Sequence, residues 1–228
     1  MALQAIKMAE KPDKKAPSRR KKAKKHTSPV MTLIGIAIFV GMLTLVVLFG
    51  VETVESNAMQ PTLSKGDLVV FQRFTNLEHA QTPRPGNVYA LKTEADAAGP
   101  NFLRVIACDE GNVSFYNDKL TISGQAVPRL RLTNPAIARP ADEPEIWRES
   151  LPDATWHIML PQTPIVTRLT GEFPLKPGTC FLAGDNRMGS LDSRQNGPMP
   201  VTQLRGKALF ILKSVHDDGL IGPFIKFL

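Results

Sequence analysis

Histidine and cysteine are scarce in this sequence of 228 residues, which holds four of the first (His26, His79, His157, His216) and two of the second (Cys108, Cys180). None is set at the intervals that ligate zinc, so the sequence offers no metal site and implies no cofactor. No repeat recurs at a fixed period, which argues against a solenoid or propeller. Charge is missing from one whole stretch: Val30 to Val51 has no ionisable residue, and only Thr32, Thr44 and glycines interrupt its apolar run. Acid is nearly absent before it. Residues 1–29 carry ten lysines and arginines against Glu10 and Asp13, a local +8, whereas the remainder holds 18 basic and 19 acidic residues.

At about 1.5 Å per residue the apolar run is long enough to cross a hydrocarbon core of about 30 Å. A removable signal peptide is the alternative, and Ser56-Asn57-Ala58 has the small-x-small form of a cleavage site. Its apolar region would usually be only about 7–15 residues, however, so residues 30–51 are expected to be a retained transmembrane helix. Residues 1–29, rich in Lys, Pro and Ser, are expected to be a disordered cytoplasmic arm. The cluster Arg19-Arg20-Lys21-Lys22-Ala23-Lys24-Lys25 could serve nucleic acid, but its place just ahead of an apolar run makes orientation of a membrane span the better reading. No nucleic acid is expected as a partner, and membrane lipid is. The positive-inside tendency then puts residues 52–228 outside the cytoplasm, on a single pass through the plasma (inner) membrane.

From residue 52 onward short β-rich runs alternate with Gly, Pro, Asn and Asp, the pattern of a mainly β domain. Strands are expected at about 53–58, 66–73, 87–92, 101–107, 112–116, 119–122, 155–160, 165–169, 179–183 and 206–214. Turn residues agree at Pro85-Gly86, Gly111-Asn112, Asn117-Asp118, Ser123-Gly124 and Pro177-Gly178. Between 126 and 152 the periodicity fades into prolines and acids, so a loop-rich excursion is expected there. The apolar end, Gly219–Leu228, either packs on the domain or lies on the membrane. An extracytoplasmic compartment permits a bridge between Cys108 and Cys180. Nothing in the sequence fixes their distance, and two buried thiols are the reading taken.

Two polar clusters remain. The first is Ser56-Asn57-Ala58-Met59-Gln60-Pro61-Thr62-Leu63, just after the apolar run. The second is Gly184-Asp185-Asn186-Arg187-Met188-Gly189-Ser190-Leu191-Asp192-Ser193-Arg194, following the apolar Phe181-Leu182-Ala183. So many charges beside an apolar strand call for mutual pairing if they are even partly buried.

Together with Arg104-Val105-Ile106 and the hairpin Leu120-x-Ile122-x-Gly124, these clusters resemble, in order and over nearly all of residues 52–214, the bacterial type I signal peptidases. Met59, Pro61, Thr62, Arg104, Gly184, Asp185, Asn186 and Arg187 carry the resemblance. It implies a membrane-anchored, mostly β, extracytoplasmic peptidase that removes signal peptides with a serine nucleophile and a lysine base. A serine hydroxyl needs such a base, and a lysine serves only where an apolar setting holds it neutral. By resemblance the serine precedes Met59 and the lysine precedes Arg104; this chain has Ala58 and Leu103 there. The resemblance also implies that Ser190 holds the lysine, that Asp192 and Arg194 form a supporting salt bridge, and that Ser56 assists the oxyanion. Gln195-Asn196 stands where the family has an aromatic pair.

With both halves of the dyad replaced, the expectation is a catalytically silent member that binds extended peptides. Preproteins bearing signal peptides, another secreted segment, or an active paralogue are the partners implied. The alternative is an active serine endopeptidase with a relocated dyad. Lys65 and Lys92 are the lysines nearest the site in sequence, and neither matches the base position.

Overall fold

The computed structural model describes residues 28–74, 83–92, 101–116, 119–132, 143–162, 170–215 and 226–227. The apolar run forms helix α1 (Pro29–Leu48), ending three residues earlier than the sequence run. It is apolar on all sides and none of its residues is buried in protein, so its length and composition suit a membrane span.

Everything after α1 is mainly β. In chain order the strands are β1 (Phe49–Thr53), β2 (Leu68–Arg73), β3 (Val88–Leu91), β4 (Phe102–Cys108), β5 (Asn112–Tyr116), β6 (Lys119–Ile122), β7 (Gln125–Ala126) and β8 (Arg129–Arg131). They continue with β9 (Glu145–Leu151), β10 (Ala154–Leu160), β11 (Gly171–Pro174) and β12 (Thr179–Ala183). A one-turn helix α2 (Ser193–Asn196) precedes β13 (Met199–Pro200), β14 (Leu204–Lys213) and β15 (Lys226–Phe227). The large sheet runs β1-β2-β14-β3-β4-β12-β13, with β15 on β14. Two smaller sheets run β11-β5-β6-β7 and β10-β9-β8.

The pair β4–β12 supplies both cores. A register shift between Phe181 and Leu182 lets Leu103, Val105, Cys180 and Leu182 join the core of the large sheet. Ile106, Ala107, Phe181 and Ala183 join a second core with Phe115, Trp156 and Ile158. Arg104, between two apolar neighbours, faces away from the first core and meets the site described below.

Two expectations need correction. The lead-in strand is not 53–58 but Phe49–Thr53, since the ladder to β2 ends at Thr53↔Leu68 and the chain turns from Ser56 onward. Of the stretch 126–152, residues 133–142 lie outside the described ones; the described parts hold β8 and β9, and β9 pairs with β10 over seven residues. Its pattern was illegible because inward-facing positions of β9 are acids: Glu145 is paired with Arg131, and Glu149 with Arg187. Cys108 and Cys180 are not free thiols; they face each other across β4–β12 and are joined as a disulfide. Strand 165–169 and the turn Asn117-Asp118 fall outside the described residues, as do the basic arm and most of Gly219–Leu228. Ser123-Gly124, at φ 48° and 80°, is a hairpin turn with both residues left-handed, which matches the strand twist.

Candidate functional site

The turn after β1 is held by its own backbone and by two buried anchors. The N–H groups of Thr62 and Leu63 both donate to the Met59 carbonyl, at 2.8 and 2.9 Å. Met59 and Leu63 sink into the core of the large sheet. Pro61, joined to Gln60 by a cis bond, and Thr62 stay half-buried at the turn's edge. Asp67 closes the base, its Oδ2 accepting the Ser64 N–H at 2.8 Å and its Oδ1 the Val215 N–H at 2.9 Å. Ala58 thereby sits at a fixed point, 2% exposed.

The second cluster grips the first. The Asn186 N–H donates to the Ala58 carbonyl at 3.0 Å, and Asn186 Nδ2 to the Asn57 carbonyl at 3.2 Å. On its other side the cluster is tied to β10 by Met159 N–H to Asp185 O at 2.8 Å and Arg187 N–H to Met159 O at 3.2 Å. Arg104 then links all three signature segments. Its Nε and Nη2 meet the two carboxylate oxygens of Asp185 at 2.8 and 2.6 Å, Nη1 reaches the Gly86 carbonyl at 2.5 Å, and Nη2 also reaches Thr62 Oγ1 at 3.2 Å. Thr62 Oγ1 donates to Asp185 in turn. A buried carboxylate and guanidinium joined in this bidentate way satisfy each other's charge, and removing one partner would strand the other.

Ala58 and Ser190 meet at Gly184, the residue just past the last pair of the β4–β12 ladder, Ala183 with Arg104. A Cβ on Gly184 would strike Ser190 Oγ and the Ala58 carbonyl, so glycine is what permits this close approach. Leu103 is fully buried and belongs to the apolar core. Ser190 is also buried, and its Oγ finds no hydrogen-bond partner among the described residues. Such a hydroxyl is costly unless something polar meets it. By the resemblance that partner is the amine of a lysine where Leu103 stands.

Beneath Ser190, Asp192 and Arg194 form a buried ion pair, although Arg194 Nη1 finds no hydrogen-bond partner among the described residues. Asp192 accepts from Arg194 Nε at 2.8 Å and Nη2 at 2.7 Å, and from the Gly184 N–H at 2.8 Å. Asp192 also caps α2, with Gln195 Oε1 returning to the Asp192 N–H at 3.0 Å. Gln195, the departure from the aromatic pair, is thus one half of a capping box, exposed to solvent. Ser56 is half-buried, and its Oγ accepts the Ala58 N–H at 3.4 Å. Among the described residues no lysine, histidine or carboxylate bonds to that hydroxyl. Lys65 is exposed, and Lys92, just past β3, lines a different recess.

Two residues escaped the sequence reading. Asn101, buried just before β4, accepts the Glu55 N–H on Oδ1 at 3.1 Å and donates Nδ2 to the Thr53 carbonyl at 2.8 Å. It satisfies on the open edge of β1 the pair of groups that a neighbouring strand would use, and so fixes the lead-in to Ala58. Glu149 accepts from Arg187 Nη2 at 2.5 Å and from Trp156 Nε1 at 3.1 Å, neutralising the arginine that ends the Gly-Asp-Asn-Arg element. The Arg187 guanidinium also lies 5.4 Å from the centroid of the Phe115 ring. Both are single polar residues whose partners are distant in sequence, and no local pattern marks them.

Tyr89, paired with Leu103 across β3–β4, has its phenol pushed above the ordinary tyrosine value by burial, against the opposing hydrogen bond from the Arg84 N–H. It stays neutral at physiological pH and adds no charge beside the Leu103 position. Around Gly184 the arrangement therefore holds a backbone turn and buries a hydroxyl, that of Ser190, with no hydrogen-bond partner among the described residues.

Comparison with known proteins matches residues 27–213 to the family described as signal peptidase, peptidase S26. A curated relative, the signal peptidase I of Bacillus caldolyticus, is 28% identical over 174 residues, covering 71% of this chain and 78% of that protein.

Proposed function

Since this chain belongs to the signal peptidase family, peptidase S26, we propose that it is a catalytically silent, membrane-anchored member that binds extended peptides of the preprotein type without cutting them. One observation carries this. The positions where the resemblance puts the dyad are Ala58 and Leu103, both buried and with neither a nucleophilic atom nor a proton acceptor, while Asp192 and Arg194, which the resemblance makes the supporting salt bridge, are paired. In a serine protease, loss of the nucleophile alone costs on the order of a millionfold in rate. In this reading α1 is the anchor, the basic arm stays in the cytoplasm, and the β domain meets extended segments by strand addition outside it. Ser56 offers the alternative of a displaced nucleophile, yet no base touches its hydroxyl among the described residues.

The test is to incubate the full chain, in detergent, with a preprotein and to weigh the products. No mature product, together with measurable binding of the same peptide, is the expected result. Specific cleavage after a small-x-small site, abolished by Ser56→Ala, would overturn the reading in favour of a relocated dyad.

A further inference from the structure

Three cations gather at the end of the large sheet where α1 gives way to β1. Arg73 ends β2, Lys92 follows β3, and Arg205 is the second residue of β14, which runs between them. The Phe74 N–H donates to the Arg205 carbonyl at 2.9 Å and the Lys92 N–H to the Gln203 carbonyl at 2.8 Å, so the three share one end of the sheet. With Phe71, Phe74 and Leu204 they line a recess of about 230 Å³. The guanidinium carbons of Arg73 and Arg205 lie 6.0 and 5.3 Å from the Phe71 ring centroid, which steadies both. Arg205 pairs with Glu52 at 2.5 Å, whereas Arg73 and Lys92 are exposed and form no ion pair among the described residues. Among the described residues the recess therefore carries more positive than negative charge.

Its position adds a second argument. Arg73 Nε donates to the Phe49 carbonyl at 3.1 Å, and Phe49 directly follows Leu48, the last residue of α1. Neighbouring strands are about 4.8 Å apart, so the recess lies within three strand spacings, about 15 Å, of the helix end. If α1 spans a bilayer, that is headgroup level. Orientation does not need these charges, because the positive-inside tendency is served by the arm on the other side.

We propose that Arg73, Lys92 and Arg205 bind a phosphate-bearing anion, namely the headgroup of an acidic phospholipid in the leaflet where α1 ends. The inference rests on the reading of α1 as a membrane anchor. Guanidinium forks match phosphate oxygens, the lysine adds a mobile third donor, and Phe71 and Phe74 present apolar surface to the glycerol and the first acyl carbons.

The full chain in dodecyl maltoside micelles is titrated with phosphatidylglycerol, phosphatidylcholine or inorganic phosphate, and retained lipid is counted by native mass spectrometry. Phosphatidylglycerol should be retained in preference to phosphatidylcholine. Arg73→Gln and Lys92→Gln should each weaken its binding about fivefold, and together about 25-fold, given roughly one such factor per cation at a lipid surface. Lys92→Arg should keep binding, and Lys119→Gln, on another sheet, should leave it unchanged. Equal retention by the double variant, or no preference over phosphatidylcholine, overturns the site. Displacement of phosphatidylglycerol by inorganic phosphate at equal concentration overturns the lipid assignment and gives the recess to free phosphate. Alkaline carbonate extraction of membranes separates the premise from the inference. Release of the chain removes the anchor reading and with it the lipid assignment, whereas a retained chain without lipid selectivity sinks the recess alone.

Discussion

At the scale of single residues, the site is defined by what Ala58 and Leu103 lack and by what Ser190 keeps. Ala58→Ser alone should yield no mature product from a preprotein, because the hydroxyl would find no base. Combined with Leu103→Lys, it should yield measurable cleavage. The buried apolar setting of Leu103 would depress an amine's pKa, and the unpaired Ser190 Oγ would give it a partner. Mass analysis of the products decides, and adding Ser190→Ala to the double variant should lower the recovered rate. Asn101 makes a different prediction. Asn101→Ala strips the Glu55 N–H and the Thr53 carbonyl of their partner, so urea unfolding of the β domain should show a loss of about 1–3 kcal/mol. Peptide affinity should fall with it, since the lead-in to Ala58 loses its tether.

At the scale of elements, the pair β4–β12 supplies residues to both cores and ends at Ala183↔Arg104, just before Gly184. The disulfide Cys108–Cys180 fastens this pair at the end away from the site and closes a sequence separation of 72 residues. A loop of that length predicts that reduction, or Cys108→Ala with Cys180→Ala, costs about 2–4 kcal/mol, visible as a lower urea midpoint, with a steeper slope because the unbridged unfolded chain exposes more surface. No shift in midpoint on reduction would mean that the bridge adds nothing to the ladder. Elements also explain where the pattern of residues misled. The signature ahead of Met59 reads as strand because Val54, Ala58 and Met59 are apolar, yet Ala58 and Met59 are buried from a turn. In β9 Glu145 and Glu149 share the inward face with Trp147 and Leu151, so charges break the usual polar-out alternation and the strand looks like loop.

At the scale of the whole molecule, a single apolar helix precedes a β domain whose net charge is near zero, while the charge of the chain lies in residues 1–29. That division predicts that the full chain stays with the membrane pellet in alkaline carbonate and that a chain beginning at Glu52 does not. Immunoblotting of both fractions checks it. Recovery of the full chain in the supernatant would argue against α1 as an anchor.

Residue order alone determined the apolar helix, the mainly β class and the family, because each is written in a contiguous run or a short motif. Motifs report on neighbours in the chain. Only the tertiary structure decided that Arg104, Thr62 and Asp185 form one network, that Ala58 and Ser190 meet at Gly184, and that Cys108 faces Cys180. It also decided which partners Asn101 and Glu149 bind and that Arg73, Lys92 and Arg205 line one recess. These depend on strand register and on which face a side chain takes, and a shift of one residue in either would turn every partner to the opposite side of the sheet.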